Sequence, residues 1–154
     1  MSEAELHSLY TRDDIHAYVT TTHGEGFGLP IFEAAYSGMP IIATDWSSYL
    51  DFLVAPYKES GKLKNKKLFA KVDFDIIEEQ SQWAYPKKIS FQKQLRSVHK
   101  NYGMYKKWAN ALKEYILHNY TEEKIFKQMA ESLMPEDILP SQEWLDTLNE
   151  IEII

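Results

Sequence analysis

Two glutamates that flank a glycine-rich turn are the residues of this chain best placed to do chemistry. Glu25 precedes the turn 26–29 and Glu33 follows it, with seven residues between the two. Pro30 suits the first turn of a helix, where its missing N–H costs no hydrogen bond. The spacing therefore predicts that Glu25 lies in a loop and that Glu33 lies about one turn into a helix, both facing one cleft.

This arrangement suits a phosphorylated, polyhydroxylated ligand. Amides at the start of a helix, together with the positive end of its dipole, favour a phosphate or a sugar hydroxyl. Gly26 and Gly28 allow positive φ and let the backbone approach a ligand closely. The Glu33 carboxylate can accept hydrogen bonds from vicinal hydroxyls such as those of a ribose. Thr22 and His23 lie beside the turn, and His23 either binds phosphate or sugar or is a loop residue without a catalytic role.

The motif resembles that of a known family. The run from Glu25 to Glu33 resembles the E-x7-E signature of retaining, nucleotide-sugar-dependent glycosyltransferases of family 4 and its relatives, which are built from two Rossmann-like domains. The run 38–44, Gly-Met-Pro-Ile-Ile-Ala-Thr, is similar to that family's continuation, a helix end followed by a buried strand. The similarity is dense over 9–52 and looser through the C-terminal part.

The resemblance implies a reaction and a role for each motif residue. A sugar is transferred from a nucleotide diphosphate with retention, and neither a metal nor another cofactor is expected. Glu33 would hold the nucleotide ribose, and Glu25 would be the catalytic residue, in contact with the donor sugar near the developing positive charge. Donor binding is also expected from the motif's backbone and its neighbours, namely Gly26, Phe27, Gly28, Leu29, His23 and Thr22.

One expected part of the family's donor site is missing. The family's donor domain opens with strand–helix units that carry a basic pair for the diphosphate, whereas only 24 residues precede Glu25 and Arg12 is the sole Arg or Lys among them. A truncated parallel sheet exposes a strand edge, and exposed edges invite pairing. We therefore expect a second copy, a separate N-terminal-domain partner, or a longer parent product.

Two functions of different class stay open. The chain is either the donor-binding part of a transferase acting on an unknown acceptor, or a non-catalytic nucleotide-sugar-binding or interaction module. A phosphorylase or epimerase is a weaker third interpretation. A glycosidase-like set of Glu25 with Asp45 and Asp51 is weaker too, because nothing fixes the separation of the carboxylates. The glycines match neither a dinucleotide fingerprint nor a P-loop.

Composition narrows the remaining classes. Hydrophobic residues make up 44% of the 154 positions and charged residues 26%, which is typical of one folded domain rather than a disordered chain. The net charge of −6 argues against nucleic acid as the main ligand. Without cysteine there is no disulfide framework and no thiolate metal site, and no His/Asp/Glu spacing indicates a metal. No signal peptide or membrane span is recognisable, so we expect a cytoplasmic protein.

The pattern along the chain predicts an α/β fold, a Rossmann-like three-layer parallel sheet truncated in its N-terminal half, with C-terminal helices. Residues 1–120 would form a partial donor-binding domain and 121–154 its helical extension. Strands are predicted at 15–20, 40–44 and 68–74, and helices at 3–10, 30–37, 48–53, 91–101, 104–119, from 122, and at 141–149. The lysine-rich stretch 56–67 is interpreted as a solvated loop, and 83–86 as an aromatic turn.

Helix caps follow from the hydroxyl residues. Ser47 or Ser48, Ser90 and Thr121 each precede a predicted helix, and serine and threonine side chains commonly accept a hydrogen bond from a first-turn amide. The strand 15–20 would contain His16 as a structural residue. Trp83 is expected to contribute to packing rather than to bind a ligand.

Overall fold

A computed structural model describes residues 3–78 and 82–133. The chain divides into two compact units, Met1–His118 and Asn119–Ile154. The predicted final helix at 141–149 lies outside the described residues. The elements follow in the order α1 Glu3–Tyr10, β1 Tyr18–Val19, α2 Leu29–Tyr36, β2 Ile41–Thr44, α3 Leu50–Leu53, β3 Val54–Glu59, β4 Lys62–Lys67, β5 Ala70–Val72, β6 Phe74–Glu78, β7 Gln82–Pro86, α4 Lys88–Lys100, α5 Tyr102–Asn119 and α6 Glu122–Leu133.

A parallel sheet organises the first unit, which confirms the predicted α/β class. Its described strands lie in the order β1-β2-β5, with Tyr18 opposite Ile41 and Ile42 opposite Ala70. Every residue of β2 is buried, as expected of a central parallel strand. The core beneath the sheet joins Ile42 and Val72 to Val98 of α4 and Tyr105 of α5.

The first predicted strand is shorter than the pattern 15–20 indicated. Only Tyr18–Val19 is a strand, although the Thr20 amide still donates to the carbonyl of Ile42 at 2.9 Å. His16 therefore lies before the strand, and its ring centroid is 5.4 Å from that of Tyr102. Likewise, the strand predicted at 68–74 is confined to Ala70–Val72.

Two segments predicted to lack strands form antiparallel hairpins. The stretch 56–67 belongs to the pair β3–β4, whose turn residues Ser60 and Gly61 have φ of 50° and 81°. Two successive positive φ values are typical of a type I′ turn, whose twist matches that of the paired strands. The supposed aromatic turn 83–86 belongs to β7, which pairs with β6. Both predictions were wrong because each segment satisfies its backbone groups through its neighbour.

The predicted caps at Ser90 and at Ser47 or Ser48 were wrong, and that at Thr121 is confirmed. Helix α4 begins at Lys88, and the Ser90 hydroxyl accepts the Asp73 amide at 2.9 Å. The two serines before α3 make no capping bond. In the second unit, the Thr121 hydroxyl accepts the Lys124 amide at 3.4 Å, and α6 has no buried residue.

Candidate functional site

The backbone of Glu25 is held by two serines that follow β2. Its amide donates to Ser47 Oγ at 2.8 Å, and its carbonyl accepts the Ser47 and Ser48 hydroxyls at 2.9 and 3.0 Å. The loop that contains Glu25 follows β1, so both segments lie at the carboxyl ends of adjacent parallel strands. Ligands bind at this edge in open α/β sheets. The serine side chains thus fix the loop while the Glu25 residue stays exposed.

Gly28 sets the turn into α2. It is buried, has φ 84° and ψ 50°, and is the residue immediately before the helix. An added Cβ would lie 3.3 Å from Ile31 Cδ1 and 3.5 Å from Tyr49 Cβ. The positive φ that glycine allows is therefore adopted at Gly28 but not at Gly26, where an added Cβ would meet nothing within 4 Å.

The start of α2 presents backbone donors. The amides of Ile31 and Phe32 both bond to the Gly28 carbonyl at 2.9 Å. Over residues 3–78 and 82–133, no protein acceptor engages the amides from Gly26 to Leu29. Pro30 has no amide hydrogen to satisfy. These amides, with the positive end of an eight-residue helix, can donate hydrogen bonds to a phosphate or hydroxyl oxygen.

Phe27 anchors the turn to the core through its ring. Its ring centroid lies 5.4 Å from that of Phe32 and 5.3 Å from that of Phe52, and the last two are 5.2 Å apart and perpendicular. Such tilted and edge-to-face pairs are favourable aromatic geometries. The sequence pattern had assigned Phe27 a role only through its amide, so its packing role was missed.

Two tyrosines that the sequence did not single out lie close to the glutamates. The Tyr10 hydroxyl donates to Glu33 Oε2 at 3.0 Å, and its ring centroid lies 6.4 Å from that of Tyr18. Burial, together with the hydrogen bond to Glu33, raises the pKa of Tyr10 to about 12, so this phenol stays a donor at neutral pH. Burial and then the charges of Glu25 and Glu33 raise the pKa of Tyr18. The negative charges of both glutamates therefore disfavour ionisation of one phenol, that of Tyr18.

The family model described as "Glycosyl transferases group 1" matches residues 1–115, a range that includes the glutamate motif, α2 and the parallel strands β1, β2 and β5. The chain belongs to this family. Comparison with curated proteins and with solved structures gave no match.

In this group 1 domain, Thr22 and His23 have structural partners. The Thr22 hydroxyl donates to the Gly24 carbonyl at 2.9 Å, and its own carbonyl accepts the Thr44 hydroxyl at 3.0 Å. The His23 carbonyl accepts the Ala84 amide at 3.1 Å, and its ring centroid is 4.4 Å from that of Tyr85. These contacts attach the motif to β2 and β7, and a role of either side chain toward donor stays a prediction.

Two other charged candidates, Asp45 and Arg12, already form ion pairs with other side chains. Asp45 Oδ1 accepts Lys67 Nζ at 2.6 Å, which leaves it poorly suited to a glycosidase-like carboxylate pair. Arg12 makes two hydrogen bonds to Asp14, at 2.8 and 2.6 Å. Arg12 also lines a cavity of about 350 Å³ with Tyr10, Pro40 and Tyr102, at the amino ends of the strands.

Metal-binding side-chain clusters and membrane-spanning helices are both absent from residues 3–78 and 82–133. No group of three or more His, Cys, Asp or Glu side chains there is arranged to hold a metal ion. No helix there is long and apolar enough to cross a membrane.

The buried phenol beneath Gly28 predicts a loss of stability at high pH. Tyr49 is fully buried and donates to the Thr44 carbonyl at 2.7 Å, and burial raises its pKa from 10.0 to about 12. Since the folded state binds this proton more tightly, its contribution is complete below pH 10 and falls as the pH rises toward 12. We expect Tyr49→Phe to lower the free energy of unfolding by about 1 kcal/mol at pH 8. Between pH 8 and pH 11, the variant should lose less stability than the wild type.

Urea unfolding at the two pH values measures this difference. The exposed Tyr36 provides the matched control, since Tyr36→Phe removes a phenol outside the core and should follow the wild type at both pH values. The pKa of Tyr10 is also raised, so every variant should keep the part of the stability loss at high pH that Tyr10 causes. If Tyr49→Phe loses as much stability as the wild type between the two pH values, the Tyr49 phenol is not a source of the loss.

Proposed function

We propose that this domain binds the nucleotide-sugar donor of a retaining glycosyltransferase. The observation that carries the proposal is that Glu25 and the start of α2 lie at one carboxyl edge of the sheet, with Glu33 about one turn further along α2. Membership of the group 1 family supports it, because the matched range contains all three. The proposed donor is a nucleoside diphosphate sugar.

Glu33 is proposed to hold the ribose. Its Oε2 accepts the Tyr10 hydroxyl at 3.0 Å, which fixes the carboxylate, and no other donor in the described residues engages its Oε1. An ionised carboxylate is an acceptor only, with about four lone-pair positions. It can therefore keep the tyrosine and still receive two vicinal hydroxyls. In this arrangement Tyr10 orients the ligand-binding group.

Glu25 and the helix start are proposed to serve the sugar and its phosphate. The amides from Gly26 to Leu29 would donate to sugar hydroxyls or to the distal phosphate, where negative charge accumulates as the bond to the sugar breaks. The Ser47 hydroxyl fixes the backbone of Glu25, and the residue is exposed to solvent. Its carboxylate would lie near the positive charge that develops on the sugar. Catalysis in this scheme rests on positioning and electrostatics.

An acceptor domain or partner would complete the cleft. Among the described strands, β1 pairs on one side only, and its Val19 is 43% exposed. We propose that this edge receives the structure that supplies the acceptor site and the cations for the diphosphate, either from a second copy or from a separate chain. Arg12 does not supply them here, because it is paired with Asp14.

A non-catalytic nucleotide-sugar-binding module is the second candidate. The Arg12–Asp14 pair favours it for the isolated chain, because a diphosphate without neutralising cations gains less from binding. Binding of donor without hydrolysis or transfer, with or without a partner, would distinguish this module from a transferase.

Calorimetric titration with UDP, GDP, ADP and their common sugar conjugates tests the proposal. We expect Glu33→Ala to weaken binding about tenfold to hundredfold, as loss of hydrogen bonds to a charged group implies. Glu25→Ala should weaken binding less and impair turnover more. The matched control is Glu114→Ala, which removes an exposed glutamate from α5 and should leave the affinity unchanged.

Equal and negligible effects of Glu33→Ala and Glu25→Ala would contradict the site. Equal weakening by all three glutamate variants would also contradict the site, because removal of a negative charge does not by itself weaken the binding of an anionic nucleotide. Absence of binding by the wild type to every nucleotide and conjugate would leave the domain without a donor site of its own.

A further inference from the structure

The β3–β4 hairpin projects from the sheet domain with an uncovered tip. Each strand has six residues, about 20 Å at the usual rise, and residues 58–65 are all exposed. Only the base is anchored. There Ala55 is buried, Lys67 is paired with Asp45, and Lys66 Nζ lies 4.4 Å from the ring centroid of Trp108. The tip therefore contributes nothing to the core of the described structure.

The hairpin carries a charge opposite to that of the chain. Between Val54 and Lys67 there are five lysines and one glutamate, a formal +4, whereas the whole chain is −6. Lys67 is neutralised by Asp45, and Lys66 by Glu59 at 2.7 Å. The remaining three cations, Lys58, Lys62 and Lys64, lie on the tip and have no ion pair within the described residues.

An exposed apolar side chain lies among these cations. Leu63 is 70% exposed, lies between Lys62 and Lys64, and pairs in register with Lys58. A single exposed leucine is ordinary in itself. Here it lies near the end of a projecting hairpin, on the same face as Lys58, with Lys62 and Lys64 on the other face. When the tip meets a surface end-on, Leu63 can enter an apolar layer while the lysine stems extend their ammonium groups toward anions.

We infer that the tip of this hairpin docks onto an anionic phospholipid surface. Clustered lysines are attracted to acidic headgroups, and an adjacent apolar side chain adds burial at the headgroup–acyl boundary. A nucleic acid fits less well, because the exposed segment 58–65 offers no aromatic ring for base stacking. The inference is independent of donor binding, since it uses none of the glutamate-motif residues.

Co-sedimentation with vesicles tests the inference on the full chain. We expect binding to phosphatidylcholine vesicles that contain about one third phosphatidylglycerol, little binding to phosphatidylcholine alone, and weakening as salt is raised. The triple variant K58E/K62E/K64E should lose at least about tenfold in vesicle affinity. L63S should bind several-fold more weakly while keeping the salt dependence.

The matched control is K88E/K93E/K100E, which makes the same charge change at three exposed lysines of α4. It should retain more vesicle binding than the hairpin variant, and circular dichroism confirms that each protein is folded. Equal losses in the two triple variants would overturn the inference, since they would report net charge alone. Wild-type binding to RNA or heparin without binding to acidic vesicles would overturn it as well.

Discussion

Replacing Phe52 by alanine is expected to lower the free energy of unfolding by about 3–5 kcal/mol. Phe52 is fully buried on α3 and has the rings of Phe27 and Phe32 at 5.3 and 5.2 Å between centroids. Its removal leaves a cavity where the glycine turn, α2 and α3 meet. Since small domains are stable by about 5–15 kcal/mol, this loss is a large fraction of the total. Urea unfolding at equilibrium measures it.

The control for Phe52→Ala is Ile89→Ala on α4. Ile89 is 82% exposed, so its truncation should change stability by less than about 0.5 kcal/mol. The Phe52 variant should also bind donor more weakly under the proposed function, because Phe27 loses a neighbour that holds the turn. A loss below about 1 kcal/mol for Phe52→Ala would show that the three rings do not form a packed cluster.

The elements around the motif were predictable because their signals are local. Pro30 marks the start of α2, Gly38 lies just beyond its end, and the apolar run at 40–44 contains the buried strand β2. Each of these signals indicates the structure of residues only a few positions away in the chain. The resemblance added the family, and the match over residues 1–115 confirms its coarser form, a group 1 glycosyltransferase domain. The roles that the resemblance implies for the glutamates stay predictions.

The hairpins were missed because their signals are not local. The lysines of β4 read as solvated loop, yet the strand is stabilised by pairing with β3 across the Ser60-Gly61 turn. That dipeptide, with equal runs on either side, was the available clue to a two-residue turn. In β7, Pro86 and the neighbouring aromatics suggested a turn, although proline is tolerated at the end of a strand at the sheet edge.

The contacts that shape the site could not be read from spacing. Ser47 and Ser48 are generic cap residues, but their hydroxyls bond to Glu25, more than twenty positions earlier. Tyr10 reaches Glu33 across a similar gap. The pairing of β1 with β2 and the approach of α1 to α2 bring these groups together. The local sequence does not distinguish these partners from others of the same type, so only the tertiary structure identifies them.

Gly28→Ala is expected to destabilise the domain by about 2–4 kcal/mol. At φ 84°, an L side chain is strained, because its Cβ approaches the following carbonyl. The new methyl group would also lie 3.3 Å from Ile31 Cδ1 and 3.5 Å from Tyr49 Cβ, inside a packed region. Relief of the strain at this left-handed residue would move the start of α2, so donor affinity should fall with stability under the proposed function. Urea unfolding and calorimetry on the same preparation measure both.

Gly26→Ala is the matched control two residues away. Gly26 is not left-handed, and an added Cβ would meet nothing within 4 Å. Alanine there removes freedom mainly from the unfolded chain, so stability should be unchanged or should rise by up to about 1 kcal/mol. Two variants of equal stability would mean that the turn does not depend on the left-handed residue. The backbone donors before α2 would then lack the fixed geometry that the proposed sugar and phosphate contacts require.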